Sequence, residues 1–267
     1  MNIRGVEYHV EVMSNDGEPL VLLHGFTGSS FNWNEVINEF PDYKLIVIDI
    51  IGHGQSASPV DPLRYQIEEV VRDLVLILNE LNIEKVNLLG YSMGGRLALS
   101  FAMIHPNQVI KLILESSSPG LEDLNERVKR KEADEKLAAE INSLGLVQFV
   151  DKWESLPLFK TQNQLSANQQ NLLRRQRLLN NPLGLANSLI GMGTGAQPSW
   201  WDKLHSLNIP VLLLCGELDK KFCTIAVRMH KQLTKSVRKE INGAGHAIHV
   251  EQPRIFGKIV NDFLNTN

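Results

Sequence analysis

The stretch at residues 87–102, NLLGYSMGGRLALSFA, decides the fold. An apolar run ends in a glycine-x-serine-x-glycine motif centred on Ser92, and an apolar segment with helical character follows. Between a strand and a helix, this motif sets its serine on a sharp, strained turn with the hydroxyl above the sheet. Glycine and serine are common turn residues, so the motif gains its weight from this context. Ser92 is therefore a candidate catalytic serine.

Short apolar runs separated by helical patterns extend along the chain on both sides of this motif. This rhythm is typical of a mostly parallel sheet with helices on both faces. The alternating segment 6–12 predicts an antiparallel edge strand, and residues 65–81 predict an amphipathic crossover helix. The runs that predict strands are 19–25, 44–50, 85–92, 109–117, 209–217 and 236–243.

The rhythm breaks between residues 120 and 205. A simple crossover between two parallel strands needs far fewer residues than this. Helical patterns at 122–144, 147–154 and 166–192, separated by prolines, fill the interval. We expect residues 120–205 to form a helical cap inserted into an α/β core built from 1–119 and 206–267.

An acid and a histidine should follow later strands, because the carboxyl ends of the strands meet at one edge of an α/β sheet. Asp219 follows the run 209–217, and His246 follows the last run in the glycine-flanked sequence GAGH. Their order after the serine fits a triad, with His246 accepting the serine proton and Asp219 orienting the imidazole. Glu217 and Asp202 are alternatives for the acid, as is His249 for the histidine.

The turn after the first central strand, LLHGFTGSS at 22–30, is where this architecture places an N–H that binds an oxyanion. A second N–H comes from the residue after the serine. We therefore nominate the backbone amides of Phe26 and Met93 as an oxyanion hole.

Composition excludes several other classes of function. The formal charge of −3 over 267 residues gives no basic footprint for nucleic acid. The two cysteines, Cys215 and Cys223, are too few for a disulfide framework and wrongly spaced for a zinc motif, which fits a cytoplasmic protein. No segment predicts a membrane span or an export signal. We expect no metal and no cofactor, since no ligand cluster or nucleotide-binding glycine motif is present.

Five motifs together resemble the α/β-hydrolase superfamily across essentially the whole chain. They are LLHGFTGSS, DIIGHGQSASP, GYSMGGR, CGELD and GAGH, with Ile51 where many members carry proline. Within the superfamily, the chain most resembles the 2-succinyl-6-hydroxy-2,4-cyclohexadiene-1-carboxylate synthases of menaquinone biosynthesis. The motifs that carry this resemblance are GYSMGGR, SSSPGL, NERVKRKEADEKLA and FVDKWESLPLF.

The resemblance implies a lyase that eliminates pyruvate from an enolpyruvyl cyclohexene. In that chemistry Ser92, activated by His246 and Asp219, removes a proton next to the succinyl carbonyl. The Phe26 and Met93 amides then hold the enolate oxygen. The implied partner is a small anionic substrate with several carboxylates.

Arg96 lies one helical turn after Ser92 in an otherwise apolar segment, so its charge needs a partner. A salt bridge to an acid elsewhere and a carboxylate of the substrate are both open. By resemblance, Arg130 and Arg177 match positions that bind substrate carboxylates, with Arg174 and Arg175 as nearby alternatives to Arg177.

Two aromatic residues are further candidates for substrate contact. Trp153 matches a family position that faces the site, and Tyr91 precedes the serine. For both, packing is the competing interpretation.

Two other functions remain open at this stage. A serine hydrolase acting on a small carboxylate ester or a carbon–carbon bond fits the same triad. Arg96 and Arg130 argue against a neutral ester as its substrate. A non-catalytic binding protein of the same fold is the third hypothesis, and the intact set of Ser92, Asp219 and His246 argues against it.

Overall fold

The computed structural model describes residues 1–13 and 16–266. Two short strands, β1 (Asn2–Ile3) and β2 (Val6–Glu7), form a separate hairpin. The main sheet contains β3 (Val10–Met13), β4 (Glu18–Leu23), β5 (Tyr43–Ile48), β6 (Val86–Tyr91), β7 (Val109–Glu115), β8 (Val211–Gly216) and β9 (Ser236–Ile241). Their spatial order is β3-β5-β4-β6-β7-β8-β9.

The described helices, in chain order, are α1 (Ile67–Glu80), α2 (Met93–Ile104), α3 (Leu124–Leu144), α4 (Leu146–Glu154), α5 (Ala167–Leu178), α6 (Pro182–Met192), α7 (Lys220–Gln232), α8 (Ile248–Glu251) and α9 (Pro253–Leu264). Successive residues of a strand point to opposite faces of the sheet. Val21 and Leu23 of β4 accordingly join one core with α1, α2 and α7. Leu20 and Leu22 join a second core with α9. The predicted α/β architecture with helices on both faces is confirmed.

All the strands from β5 to β9 in the spatial order pair in parallel, and β3 pairs antiparallel with β5 at the edge. The mostly parallel sheet is therefore confirmed. The antiparallel edge expected at 6–12 is confirmed by β3, but the edge strand is shorter than expected, because β2 pairs with β1 and only β3 joins the main sheet. The interruption falls at Tyr8, a buried side chain whose hydroxyl donates to Asp73 of α1 at 2.8 Å.

Helices α3 to α6 lie between β7 and β8 in sequence and share a small core of their own. It includes Ile141 of α3, Val150 of α4 and Leu185 of α6, all buried. We call residues 120–205 the cap, and its boundaries stay a prediction. Within residues 1–13 and 16–266, no helix is both long and apolar enough to cross a membrane.

Candidate active site

Ser92 occupies the turn between β6 and α2, in the middle of the sheet. Its backbone has φ 50° and ψ −104°, a conformation that a non-glycine residue rarely adopts. A side chain at position 94 would place Cβ 2.1 Å from the Leu23 carbonyl oxygen, so Gly94 lets the start of the helix approach the neighbouring strand. The Ser92 N–H donates to the Glu115 carbonyl at 2.9 Å, which ties the turn to the end of β7.

Ser92, His246 and Asp219 form a hydrogen-bonded line. The Ser92 Oγ lies 3.0 Å from His246 Nε2, and His246 Nδ1 lies 2.6 Å from Asp219 Oδ2. His246 and Asp219 are both buried. With Nδ1 carrying the proton toward the carboxylate, Nε2 is free to accept the serine proton.

The alternative acids and histidine have other partners. Glu217 accepts the N–H of Gly243, and Asp202 lies in a 3-10 turn at Trp201–Ser206. His249 is buried against Glu115, with Nδ1 at 2.8 Å from the carboxylate. The glycine-flanked loop therefore brings His246, and not His249, to the serine.

A cavity of about 190 Å³ opens above Ser92 between the sheet and the cap. It brings together most of the side chains nominated from the sequence. Those that line it are Phe26, Tyr91, Ser92, Met93, Arg96, Arg130, Trp153 and His246. Asp219 stands behind His246, outside the lining.

The turn that carries Phe26 is held by a buried histidine. His24 Nε2 accepts the Ile50 N–H at 3.0 Å, and Nδ1 lies 2.8 Å from the Gly25 carbonyl. Burial lowers the pKa of His24 to about 4, so the ring is neutral and can accept through one nitrogen and donate through the other. Neither the Phe26 nor the Met93 N–H donates to another protein group within the described ranges. Both are therefore available to an oxyanion.

Arg96 reaches the cavity from α2. Its Nη1 donates to the Met192 carbonyl at 2.6 Å and to Gln197 Oε1 at 2.5 Å. Both acceptors are neutral, and Arg96 forms no salt bridge within the described part of the chain. Burial, and then the charge of Arg130, lower the pKa of Arg96 to about 10, which still leaves it charged at neutral pH. The salt bridge left open by the sequence is not formed.

Arg130 lies across the cavity on α3 and is partly neutralised. Its Nε donates to Asp134 Oδ1 at 2.8 Å, one helical turn further along. The other carboxylate oxygen of Asp134 is buried without a hydrogen-bond partner. Two guanidinium groups therefore share one nearby carboxylate, and the cavity wall carries excess positive charge.

The remaining wall is aromatic. Trp153 packs edge-on against Phe26 at 5.2 Å between ring centroids, and it also packs against Phe149 and Phe159. Its Nε1 is buried without an acceptor. Trp153 therefore both packs within the cap and faces the cavity. Phe159, which also lines the cavity, is not nominated from the sequence, although it lies six residues after Trp153 in the quoted motif.

Arg177 does not line the cavity that contains Ser92. Its Nη1 donates to Glu154 at 2.9 Å and its Nη2 to Gln162 at 2.8 Å, while the guanidinium stacks on Phe159. Arg174 donates to the same Glu154. The basic run in α5 is therefore engaged by an acid at the end of α4, a pairing that sequence spacing does not reveal.

Among the described residues, one group has donor atoms close enough to hold a metal ion. Cys215, Cys223 and Glu240 have their ligand atoms within 4.8 Å of one another. None of the three lines the cavity above Ser92. The absence of a metal in the reaction stays a prediction.

Comparison with known proteins extends this picture. Residues 18–253 match the family model described as the alpha/beta hydrolase fold. A Bacillus subtilis (strain 168) protein with the provisional name 2-succinyl-6-hydroxy-2,4-cyclohexadiene-1-carboxylate synthase is 49% identical over 263 residues, covering 98% of this chain and 96% of that protein.

Solved structures of two related proteins share this fold. MenH from S. aureus superposes with a TM-score of 0.91 at 35% identity, covering 99% of this chain and 98% of that one. An esterase from Thermogutta terrifontis superposes with a TM-score of 0.85 at 25% identity, covering 97% and 93%. The chain therefore belongs to the α/β-hydrolase fold family and, within it, to the family of the 2-succinyl-6-hydroxy-2,4-cyclohexadiene-1-carboxylate synthases.

Proposed function

We propose that this chain is a lyase of menaquinone biosynthesis. Its substrate is 2-succinyl-5-enolpyruvyl-6-hydroxy-3-cyclohexene-1-carboxylate, from which it eliminates pyruvate to give 2-succinyl-6-hydroxy-2,4-cyclohexadiene-1-carboxylate. The names of its relatives support this reaction. The observation that carries the proposal is Arg96, a cation on the wall of the cavity above Ser92 whose hydrogen-bond acceptors in the described part of the chain are both neutral. A substrate with several carboxylates supplies a hydrogen-bonded anion for Arg96, whose nearby carboxylate, Asp134, is bonded to Arg130.

Ser92 acts as the base in this proposal, and it forms no bond to carbon. Its oxygen takes the ring proton next to the succinyl carbonyl while its own proton passes to His246 Nε2. Asp219 stabilises the imidazolium that results. The contacts of 3.0 Å and 2.6 Å along this line support the relay.

The bond changes follow from comparison of the substrate ring, a 3-cyclohexene, with the product ring, a 2,4-cyclohexadiene. Loss of the proton at ring carbon 2 forms a double bond between carbons 2 and 3. The original double bond then moves to carbons 4 and 5, and the bond from carbon 5 to the enolpyruvyl oxygen breaks. The released enolpyruvate takes up one proton and becomes pyruvate, while the imidazolium of His246 releases the proton that it gained, so the triad regains its starting state. Atoms and charge balance without water.

The succinyl carbonyl oxygen gains negative charge as the proton leaves. The Phe26 and Met93 amides provide two N–H donors for this oxygen, as they would for the tetrahedral intermediate of an ester. Arg130 and Trp153 contribute from the cap, which we propose covers the cavity and excludes water. Arg177, held by Glu154, positions the cap segment around Phe159 in this proposal.

The mass of the ring product tests the reaction type. Purified protein is mixed with the enolpyruvyl substrate, made in place by the enzyme that precedes it. Elimination yields pyruvate and a ring diene, whereas hydrolysis of the enol ether yields pyruvate and a ring product heavier by one water. The diene, formed faster than in the absence of protein, is the expected result. A hydrated ring product, or cleavage of simple carboxylate esters alone, would instead assign the chain to the hydrolases.

A further inference from the structure

The backbone on both sides of His246 is held by one carboxylate. Glu251 Oε2 accepts the Gly245 N–H at 2.6 Å, and Glu251 Oε1 accepts the Ala247 N–H at 3.4 Å. Neither N–H has another protein acceptor within the described residues. The loop between β9 and α8 pairs with no strand of its own, so these two contacts help to place His246, together with the Leu218 N–H bond to the Ala244 carbonyl and the Asp219 bond to the imidazole.

The cap reaches the same carboxylate. Thr161 lies in the 3-10 segment Pro157–Gln164, and its hydroxyl donates to Glu251 Oε1 at 2.9 Å. A side chain at position 245 would collide with Thr161 at 2.2 Å, so Gly245 permits this close approach. In the same segment, Phe159 places its ring edge-on to His246 at 6.2 Å. The segment therefore packs beside the His246 ring through Phe159 and reaches the backbone on either side of His246 only through Glu251.

We propose that Glu251 is the positioning residue for His246 and that Thr161 links this position to the cap. The proposal rests on the proposed role of His246 in the triad. A carboxylate can accept at two oxygens at once, so one side chain can hold two N–H groups and a hydroxyl. Seating of the segment at 157–164 then favours the loop position in which His246 Nε2 faces Ser92. His246 is therefore held in position to accept the Ser92 proton when the cap lies over the substrate.

The first test replaces Glu251 by glutamine, which retains the shape but offers only one acceptor oxygen. We expect Ser92 of the Glu251→Gln variant to react about tenfold more slowly, or slower still, with a fluorophosphonate. The kcat for pyruvate release should fall in parallel, while KM changes little. Glu217→Gln is the matched control, because Glu217 accepts the Gly243 N–H at 2.9 Å on the same loop without flanking His246. Its labelling rate should stay within about twofold of wild type.

The second test removes only the cap contact. Thr161→Val keeps the shape and loses the hydroxyl donor, so it should slow both pyruvate release and fluorophosphonate labelling, but by less than Glu251→Gln does, because the two N–H groups beside His246 keep their acceptor. Labelling of Glu251→Gln at the wild-type rate would overturn the positioning role, even if its melting temperature fell. Wild-type pyruvate release by Thr161→Val would overturn the link to the cap. If wild type releases no pyruvate, the proposed function fails, and the labelling rates still decide the role of Glu251.

Discussion

At the scale of single residues, Arg96 is the side chain that separates this site from that of a neutral-ester hydrolase. It lies four residues after Ser92, on the same face of α2. Among residues 1–13 and 16–266, its acceptors are a backbone carbonyl and a side-chain amide, both neutral. A largely desolvated cation that must share one carboxylate, Asp134, with Arg130 is costly, so its presence points to a ligand anion that completes it.

Replacement of Arg96 by methionine should therefore weaken substrate binding more than it lowers the stability of the folded protein. Loss of a charged hydrogen bond costs about 1.5–3 kcal/mol, which corresponds to a fall in kcat/KM of about 10-fold to 150-fold. The fall should lie mainly in KM if Arg96 binds a carboxylate that does not react. Steady-state kinetics and thermal melting would measure both effects.

Arg127→Met is the control for this substitution. Arg127 Nη2 donates to the Gln197 carbonyl at 3.2 Å, so it contacts the same residue as Arg96, yet it does not line the cavity. Equal kinetic losses in the two variants would argue that Arg96 acts through Gln197 and not through the substrate.

At the scale of helices and strands, local pattern predicts the sheet well. The apolar runs, the turn around Ser92 and the glycine-flanked loop of His246 depend on neighbours in sequence, so periodicity and turn residues reveal them. The contacts of the cap do not depend on neighbours in sequence, so these patterns do not reveal them. Glu154 binds Arg177, which lies 23 residues away in sequence, and Glu251 binds Thr161, which lies 90 residues away. No local sequence pattern predicts such pairs. Sequence spacing does not reveal that Glu154 holds Arg177, and the contact of Arg177 with substrate stays a prediction. Glu251 carried no signal beyond its nearness to His246.

One such long-range contact joins the cap to the turn at residues 22–30, which carries Phe26. Asn180, between α5 and α6, is buried; its Nδ2 donates to the Thr27 carbonyl and its Oδ1 accepts the Gly54 N–H, each at 2.9 Å. Asn180→Ala leaves the buried Thr27 carbonyl and the half-buried Gly54 N–H without this partner. We expect the free energy of unfolding to fall by about 2–4 kcal/mol in urea denaturation. Asn163→Ala, at an exposed position of the cap, should change it by less than about 0.5 kcal/mol. An equally small change in Asn180→Ala would show that the cap does not depend on this contact.

At the scale of the whole molecule, two buried histidines tie stability to pH. Burial lowers the pKa of His24 to about 4 and that of His53 to about 3, from an ordinary value of 6.5. Below that ordinary value the unfolded chain takes up protons that the folded chain does not. Their contribution to stability is thus present above pH 6.5 and is lost progressively as the pH falls toward 4.

The free energy of unfolding should therefore fall on acidification by up to about 1.4 kcal/mol per pH unit for each histidine. His53→Asn removes one of the two, so its slope between about pH 6 and pH 4.5 should be shallower than that of wild type by about this amount. His205→Asn, at an exposed position, should keep the wild-type slope. Urea denaturation at several pH values measures the slopes, and identical slopes for wild type and His53→Asn would refute the assignment.

The most direct test of the account is the rate of pyruvate release by wild type and by Ser92→Ala, each corrected for the spontaneous reaction. If Ser92 is the base, wild type releases pyruvate rapidly and the substitution slows kcat by at least about 100-fold. Unchanged melting of the variant would confirm that the loss is chemical. Release by Ser92→Ala at the wild-type rate would contradict the central claim, because the proton would then be removed by another group.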